Sequence, residues 1–231
     1  MSAMAVELLE RQEKETQSSN YVERSYNDAC DRDSQDMDEN VQSVVKQYTS
    51  NADDINRHER KRFRSLAASN GEKDKITYKD PVPIEESCNV LDEYLGAGRL
   101  NSDFHLFRGT SLENLCNSVV FSQIDNSDFL KDCKEIEDGN KLTEKYKGQI
   151  FTYIQLVSTS IKTYVAADFL CGPTQCMLNI NAPKGACARC LGDNSSHRGE
   201  YEVLLASGTQ FRIVRIEHRQ KMKDIYVEVI V

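Results

Sequence analysis

Two glutamates, Glu200 and Glu202, stand one residue apart at the start of a β-hairpin pattern. The runs Gly199–Leu205 and Gly208–Ile213 are typical of two strands joined by a tight turn. On a strand, side chains at i and i+2 share a face about 7 Å apart, so both carboxylates would face one space and Tyr201 would face away. Such close like charges are unfavourable unless a cation, a hydrogen-bond donor or a substrate compensates them. The pair predicts a site, and its alternative is a solvated strand edge.

Two strand patterns upstream supply further polar residues. Phe104–Thr110 is a short aromatic-rich strand that contains Arg108-Gly109, and Gln149–Ser160 is a strand that ends in Ser158-Thr159-Ser160. Arginine, serine and the second glutamate are separated by 50 and 44 residues, and Leu-Leu and Gly-x-x-Phe follow the glutamates. Together these motifs resemble the arginine–serine–glutamate group of bacterial toxin-type mono-ADP-ribosyltransferases, Glu-x-Glu subtype. The resemblance covers roughly residues 80 to 231.

The resemblance implies an enzyme that transfers ADP-ribose from NAD to a side chain of a target protein and releases nicotinamide. Arg108 would hold the pyrophosphate, since a guanidinium makes bidentate contacts and stays charged. Ser158 would orient Glu202, which would stabilise the positive charge that develops on the ribose. Glu200 would face the acceptor, and a glutamate at this position implies arginine as the acceptor residue.

The resemblance also assigns the contacts to NAD, the co-substrate, and implies no metal. Gly109 would let the nucleotide approach the backbone, and Phe169 would stack near the nicotinamide. The alternative for Phe169 is a core position in a short helix at Thr163–Leu170. The full expected set is Arg108, Gly109, Thr110, Ser158, Thr159, Ser160 and Phe169.

The segment Leu191–Gly199 precedes the glutamates and matches the position of the loop that recognises the target protein in this group. Its run Gly192–Ser195 has the composition of a turn. The family often places an aromatic residue in this loop, whereas this chain has only His197 and Arg198 there, and His197 is expected to be a loop residue. A chaperone or an immunity protein is a further possible partner.

Three other functions stay open. In an NAD glycohydrolase, water would replace the protein acceptor. A catalytically inactive binding module would keep the fold and use it to bind a partner protein. A toxin used against other bacteria would have the same chemistry and an immunity protein.

Composition limits the classes of protein to which the chain can belong. It has 231 residues and a net charge of −8, which argues against a nucleic-acid backbone as the main partner. No apolar run approaches the length of a membrane span, and the start lacks the pattern of a secretory signal. We therefore expect no membrane partner, secretion without a cleavable signal peptide, and action as a virulence effector in the cytoplasm of a target or host cell.

Eight cysteines favour a reduced chain over a disulfide framework when no signal is present. Cys171, Cys176, Cys187 and Cys190, with His197 nearby, form a less favoured zinc alternative because their spacing is not that of two tight knuckles.

The chain divides by composition into two parts. Residues 1–52 are polar and are expected to be partly disordered, especially Gln17–Asn40, with one apolar helical face at Val41, Val44, Val45 and Tyr48. Residues 53–231 form the expected ADP-ribosyltransferase domain. Helical patterns come first, including Ile84, Cys88, Leu91 and Leu95 on one stripe, and strand patterns follow, which predicts an α+β fold. The resemblance refines this to a helical N-terminal lobe packed on a two-sheet β core.

Overall fold

The computed structural model describes residues 21–50, 52, 54–58, 60, 84–197, 199–219 and 222–231. The helices are α1 (21–35), α2 (Glu39–Ser50), α3 (54–58), α4 (Ile84–Ala97), α5 (Leu112–Ser118), α6 (Asn126–Glu135), α7 (Gly139–Tyr146) and α8 (Thr163–Ala167). The strands are β1 (Phe104–Ser111), β2 (Val119–Phe121), β3 (Ile150–Tyr153), β4 (Val157–Ser160), β5 (Gln175–Ala182), β6 (Ala188–Cys190), β7 (Glu202–Leu205), β8 (Gln210–Arg219) and β9 (Met222–Val229). Residues 1–20 of the polar N-terminal part, which was expected to be partly disordered, lie outside the described residues.

The helices form a lobe whose apolar stripes face inward, as expected. In α2, Val44, Val45 and Tyr48 are buried, and in α4 the stripe that begins at Ile84 is buried as well. These residues pack together with Leu156, Leu191 and Leu204, which lie beside or on the strands. The predicted helical lobe is therefore confirmed, and its apolar faces are held by contact with the sheet as much as by each other.

Residues 21–35, part of the stretch expected to be disordered, form helix α1 instead. Tyr26, Ala29 and Cys30 are buried in the cluster that also contains the sheet residues Val203 and Leu205. The stretch reads as polar because only one face of this helix carries apolar residues. A division at residue 52 stays a prediction, and helices on both sides of it, α2 and α4, share one core.

Within the described residues, the nine strands form a single sheet in the order β2-β3-β8-β9-β5-β1-β4-β7-β6. Strands β5 and β9 are parallel, and the other neighbours are antiparallel. The α+β class is confirmed, but the expected two sheets are replaced by one. Two groups of strands are joined where β1 meets β4 at one register pair, Phe107 with Ser160.

Two stretches differ from their predicted form in ways that affect the site. The expected strand Gln149–Ser160 is interrupted at residues 154–156, and β4 begins only at Val157. Strand β7 begins at Glu202, so Glu200 lies before it, and Tyr201 has a φ of 50°. A positive φ is costly for a residue with a bulky side chain, so the surrounding contacts must hold this turn in place.

The acidic segment after β2 forms the helices α6 and α7. Asp125 and Asp138 cap α6 and α7, their side chains accepting from Ser127 N and from Asn140 N and Lys141 N. Among the described residues, no helix is long and apolar enough to cross a membrane.

Candidate active site

A cavity of about 450 Å³ lies between the helical lobe, β1, β4, α8 and the turn that precedes β7. Every site residue proposed from the sequence lines its wall: Arg108, Gly109, Thr110, Ser158, Thr159, Ser160, Phe169, Glu200 and Glu202. Residues that the sequence did not single out as site residues complete the wall: Tyr48, Thr49, Ala52, Asn56, Phe107, Asn114, Val165, Ala166, Cys171 and His197. The fold thus brings the three distant motifs to one place.

Glu202 is the buried carboxylate of the cavity, with 5% of its surface exposed. It is the first residue of β7 and pairs with Ser160 of β4, which fixes its backbone. Ser158 Oγ donates to its Oε1 at 2.6 Å, and Ser195 Oγ donates to its Oε2 at 2.9 Å. Burial raises the pKa of Glu202, the two hydroxyls act in the opposite direction, and Glu200 adds to the rise.

Ser195 was missed from the sequence as a site residue, because it stands in a run with the composition of a plain turn. It is 5% exposed, and its Oγ also accepts from His197 N at 3.2 Å. A serine seven residues before Glu202 carries no motif of its own, so only the folded loop shows that it contacts the carboxylate.

Glu200 faces the same cavity but is more exposed than Glu202. Ser160 Oγ donates to the Glu200 carbonyl at 2.6 Å. Tyr201 does face away, and its ring packs on Tyr26 of α1 with centroids 5.6 Å apart. The two carboxylates therefore share a space as predicted, through a kink at Tyr201 and not through the regular alternation of a strand.

Arg108 lies on β1, opposite the glutamates, and is partly buried. Its Nη1 donates to the Ser158 carbonyl at 2.7 Å, and its Nε donates to the Tyr153 hydroxyl at 3.2 Å. Burial lowers the pKa of Arg108, but Tyr153, Tyr48 and Glu202 together outweigh it and raise the pKa above the ordinary value. The guanidinium therefore stays charged, with its remaining N–H groups available to an anion.

The packing of α8 gives a structural reason for a glycine at position 109. A Cβ added here would lie 1.9 Å from the Ala166 carbonyl oxygen, so glycine is required by the close packing of α8 on β1. Gly109 also lines the cavity, and the approach of the nucleotide to its backbone stays a prediction. The neighbouring Thr110 is buried.

Thr159 and Ser160 act on the backbone of the glutamate strand. Thr159 Oγ1 donates to the Val203 carbonyl at 2.6 Å, and Ser160 Oγ accepts from Lys162 N at 3.0 Å besides its bond to Glu200. Both side chains thus stiffen the junction between β4 and β7.

Phe169 follows α8 and is 54% exposed while lining the cavity. The alternative of a core position is therefore wrong. An exposed ring at the edge of a cavity is available for stacking on a flat ligand.

A second cavity of about 400 Å³ adjoins the first and shares Asn56, Arg108, Thr110 and Asn114 with it. Arg60 of the helical lobe also lines it and donates to Gln155 Oε1. The interruption between β3 and β4 is what places Gln155 opposite Arg60. The guanidinium groups of Arg60 and Arg108 both line this cavity, and guanidinium groups of this kind could hold an anion.

Buried polar atoms in the first cavity are available to a ligand. Among the described residues, the Tyr48 hydroxyl and the Asn56 Oδ1 are buried and make no hydrogen bond of normal geometry. Poorly paired buried polar groups are unfavourable, so a ligand that pairs with them would gain affinity. Together with the two arginines and the exposed Phe169, they fit a dinucleotide.

The cysteines considered for zinc are dispersed. Cys176 and Cys190 are buried, Cys187 is partly exposed and Cys171 is exposed. In the part of the chain that the structure describes, no group of three or more His, Cys, Asp or Glu residues could hold a metal ion.

Several solved structures of bacterial ADP-ribosyltransferases share this fold. Plx2a, an ADP-ribosyltransferase toxin from Paenibacillus larvae, matches with a TM-score of 0.65 and 16% identity over 93% of this chain and 97% of its own. An ADP-ribosyltransferase from Clostridium botulinum matches with a TM-score of 0.60 and 16% identity over 93% of this chain and 94% of its own. C3stau2 from S. aureus, solved with NAD, matches with a TM-score of 0.59 and 19% identity over 93% of each chain.

At these identities the likeness concerns the fold, and the family comes from the sequence. The model of the family described as ADP-ribosyltransferase exoenzyme matches residues 19–231. The chain belongs to the ADP-ribosyltransferase exoenzyme family and is an NAD-dependent ADP-ribosyltransferase. No curated protein matches its sequence.

Proposed function

We propose that the protein is an exported toxin that transfers ADP-ribose from NAD to an arginine side chain of a target protein. The observation that carries the proposal is the pair of carboxylates in one cavity. Glu202 is buried between two hydroxyls, and Glu200 is open to an incoming group beside it.

Glu202 is suited to stabilise positive charge on the ribose. It is nearly removed from water, and electrostatic interactions are stronger in such a buried place than in water. Ser158 and Ser195 fix both of its oxygens. Its reactive form is the ionised one, so burial that raises its pKa makes the enzyme sensitive to acid. The two hydroxyls keep the carboxylate usable despite that burial.

Arg108 and Arg60 are suited to hold the pyrophosphate. Both line the second cavity, which is contiguous with the first through Asn56 and Thr110. Phosphate oxygens there would lie within reach of guanidinium donors, while the nicotinamide end would lie toward Glu202 and Phe169. This orientation uses both cavities and all the motifs.

Glu200 is suited to receive a cationic acceptor. In the transfer, the bond between ribose C1′ and the nicotinamide nitrogen breaks with its electron pair leaving on nicotinamide. A guanidinium nitrogen bonds to C1′, and its proton passes to Glu200. A carboxylate both orients the guanidinium and takes that proton. We propose the Glu-x-Glu subtype on this basis.

The target protein would bind at the loop Leu191–Gly199, whose residue His197 lines the cavity and is exposed. A second function, NAD glycohydrolysis, is favoured by one feature: the loop has no aromatic side chain to anchor a partner. Water would then act in place of the acceptor.

The test uses labelled NAD with a host-cell lysate and, separately, with the small guanidine agmatine. Transfer of label and release of nicotinamide are followed for the wild type, Glu200→Gln, Glu202→Gln and the surface control Glu217→Gln. We expect Glu202→Gln to lose both activities and Glu200→Gln to lose transfer while nicotinamide release persists. The label on protein should be removed by hydroxylamine, as an arginine linkage requires.

The other functions give different results. Nicotinamide release by the wild type without any labelled acceptor would identify a glycohydrolase. No turnover and no binding of NAD would identify an inactive binding module.

A further inference from the structure

Helix α1 contacts both ends of the loop between β6 and β7. At the start of the loop, Asp33 Oδ2 accepts from Cys190 N at 2.8 Å, and Asn194 Nδ2 donates to Ser34 Oγ at 2.9 Å. Gly192 has a φ of +52°, and a Cβ added there would lie 3.0 Å from the Cβ of Cys30. The first turn of the loop is therefore seated directly on α1.

The hydroxyl of Tyr26 joins the two ends of this loop. It accepts from Gly192 N at 3.2 Å and donates to the Glu202 carbonyl at 3.3 Å. Tyr26 is 4% exposed, and burial raises the pKa of its hydroxyl, which remains protonated and able to donate. One buried oxygen atom thus connects Gly192 with Glu202, and the part of the loop between them contains Ser195, His197 and Glu200.

The ring of Tyr26 also supports the strained residue between the glutamates. It packs on Tyr201, whose other neighbour is Lys162, with Nζ 5.0 Å from the ring centroid. Lys162 is in turn paired with Glu23 of α1. Tyr201, at its positive φ, is therefore held by α1 from two directions.

We propose that Tyr26 is a positioning residue that fixes Glu200 relative to Glu202 and thereby sets how NAD turnover divides between transfer and hydrolysis. The inference rests on the proposed function. Glu202 has independent supports, its pairing with Ser160 and the Ser158 hydroxyl on its side chain. Glu200 lies outside any strand, and the Ser160 hydroxyl holds its carbonyl but not its side chain. Loosening the loop should therefore disturb acceptor orientation more than cleavage of the nicotinamide bond.

The test compares Tyr26→Phe with Tyr94→Phe. Tyr94 is a matched control, since it is 6% exposed and its hydroxyl donates to a backbone carbonyl of α1, that of Asp33, at 3.2 Å, and not to a residue of the loop itself. We expect Tyr26→Phe to lower the ratio of agmatine labelling to nicotinamide release by about fivefold to tenfold, the worth of about one hydrogen bond. Tyr94→Phe should leave that ratio unchanged, and the dissociation constant of NAD should be unchanged in both.

A second variant keeps the proposal testable if Tyr26→Phe folds poorly. Glu23→Gln weakens the support of Tyr201 from the surface of α1, and we expect the same ratio to fall by a smaller factor. An unchanged ratio in Tyr26→Phe, or an equal fall in Tyr94→Phe, would refute the positioning role while leaving the proposed function intact. A wild type that releases nicotinamide but labels no acceptor would instead overturn the proposed function, and this inference with it.

Discussion

Replacing Ser195 by alanine removes one of the two hydroxyls that hold the carboxylate of Glu202. Ser195 Oγ donates to Glu202 Oε2 at 2.9 Å, and Ser158 continues to hold Oε1 at 2.6 Å, so the variant retains one donor. Burial raises the pKa of Glu202, and the hydroxyls oppose it. Losing Ser195 therefore raises this pKa further, and the enzyme needs a higher pH to reach its ionised form.

The size of the effect follows from the bond that is lost. A hydrogen bond to a charged group contributes about 1.5–3 kcal/mol, and about 1.4 kcal/mol corresponds to a factor of ten. If the whole contribution is expressed in the transition state, kcat/KM for nicotinamide release falls about 10- to 150-fold. Part of this loss is protonation, so the deficit should be largest at low pH and should shrink as pH rises.

The assay is nicotinamide release as a function of pH, with thermal unfolding measured on the same samples. Ser196→Ala is the control, because Ser196 Oγ is bonded to Lys46 O and to Thr49 and makes no bond to Glu202. We expect the acid limb of the Ser195→Ala profile to move to higher pH and that of Ser196→Ala to stay in place. A loss of equal size at every pH, with the acid limb unmoved, would refute the reasoning.

Three further variants test other parts of the site. Gly109→Ala places a Cβ 1.9 Å from the Ala166 carbonyl, so we expect a destabilisation of about 1–3 kcal/mol in denaturant unfolding, with weaker NAD binding. Phe169→Ala should raise KM for NAD with little change in Tm, whereas Tyr164→Ala, an exposed aromatic of α8 that does not line the cavity, should change neither. Glu202→Gln should lose turnover yet gain stability, because the folded protein binds the Glu202 proton more tightly than the unfolded chain does. The wild type therefore loses stability as pH rises from the unfolded pKa of about 4.3 through the raised folded pKa, and the Tm advantage of the variant should grow from about pH 4 to about pH 7. An advantage that is the same at both pH values would contradict this.

Much of the cavity wall could be predicted because its residues belong to short motifs that are local in the sequence. Arg108, Ser158 and Glu202 each lie on a strand with a clear sequence pattern. In the fold, Arg108 donates to the Ser158 carbonyl and the Ser158 hydroxyl donates to Glu202. Ser195 and Tyr26 could not be predicted, because a serine in a turn and a tyrosine in a polar helix have no signature until the helix packs on the loop.

The parts of the fold that were predicted incorrectly have the same cause. Sequence patterns specify strands, but they do not specify which strands pair, and one register pair between β1 and β4 decides between one sheet and two. Tyr201 was expected to continue a strand, and its positive φ depends on Tyr26 and Lys162, which are distant in sequence. Disorder was expected for residues that are polar on average, although one apolar face is enough to dock α1.

Arg108 also has a structural role at the junction of β1 and β4. Its guanidinium donates a hydrogen bond to the Ser158 carbonyl, where the two strands otherwise share one register pair. The arginine therefore helps to close the sheet whether or not a nucleotide is bound. Natural selection for folding alone would keep this arginine in a descendant that had lost its activity. The buried charge of Glu202 works against stability, so this glutamate would be substituted first. Among distant proteins with this fold, a retained arginine would thus indicate shared ancestry alone, and a retained glutamate pair would indicate an active enzyme.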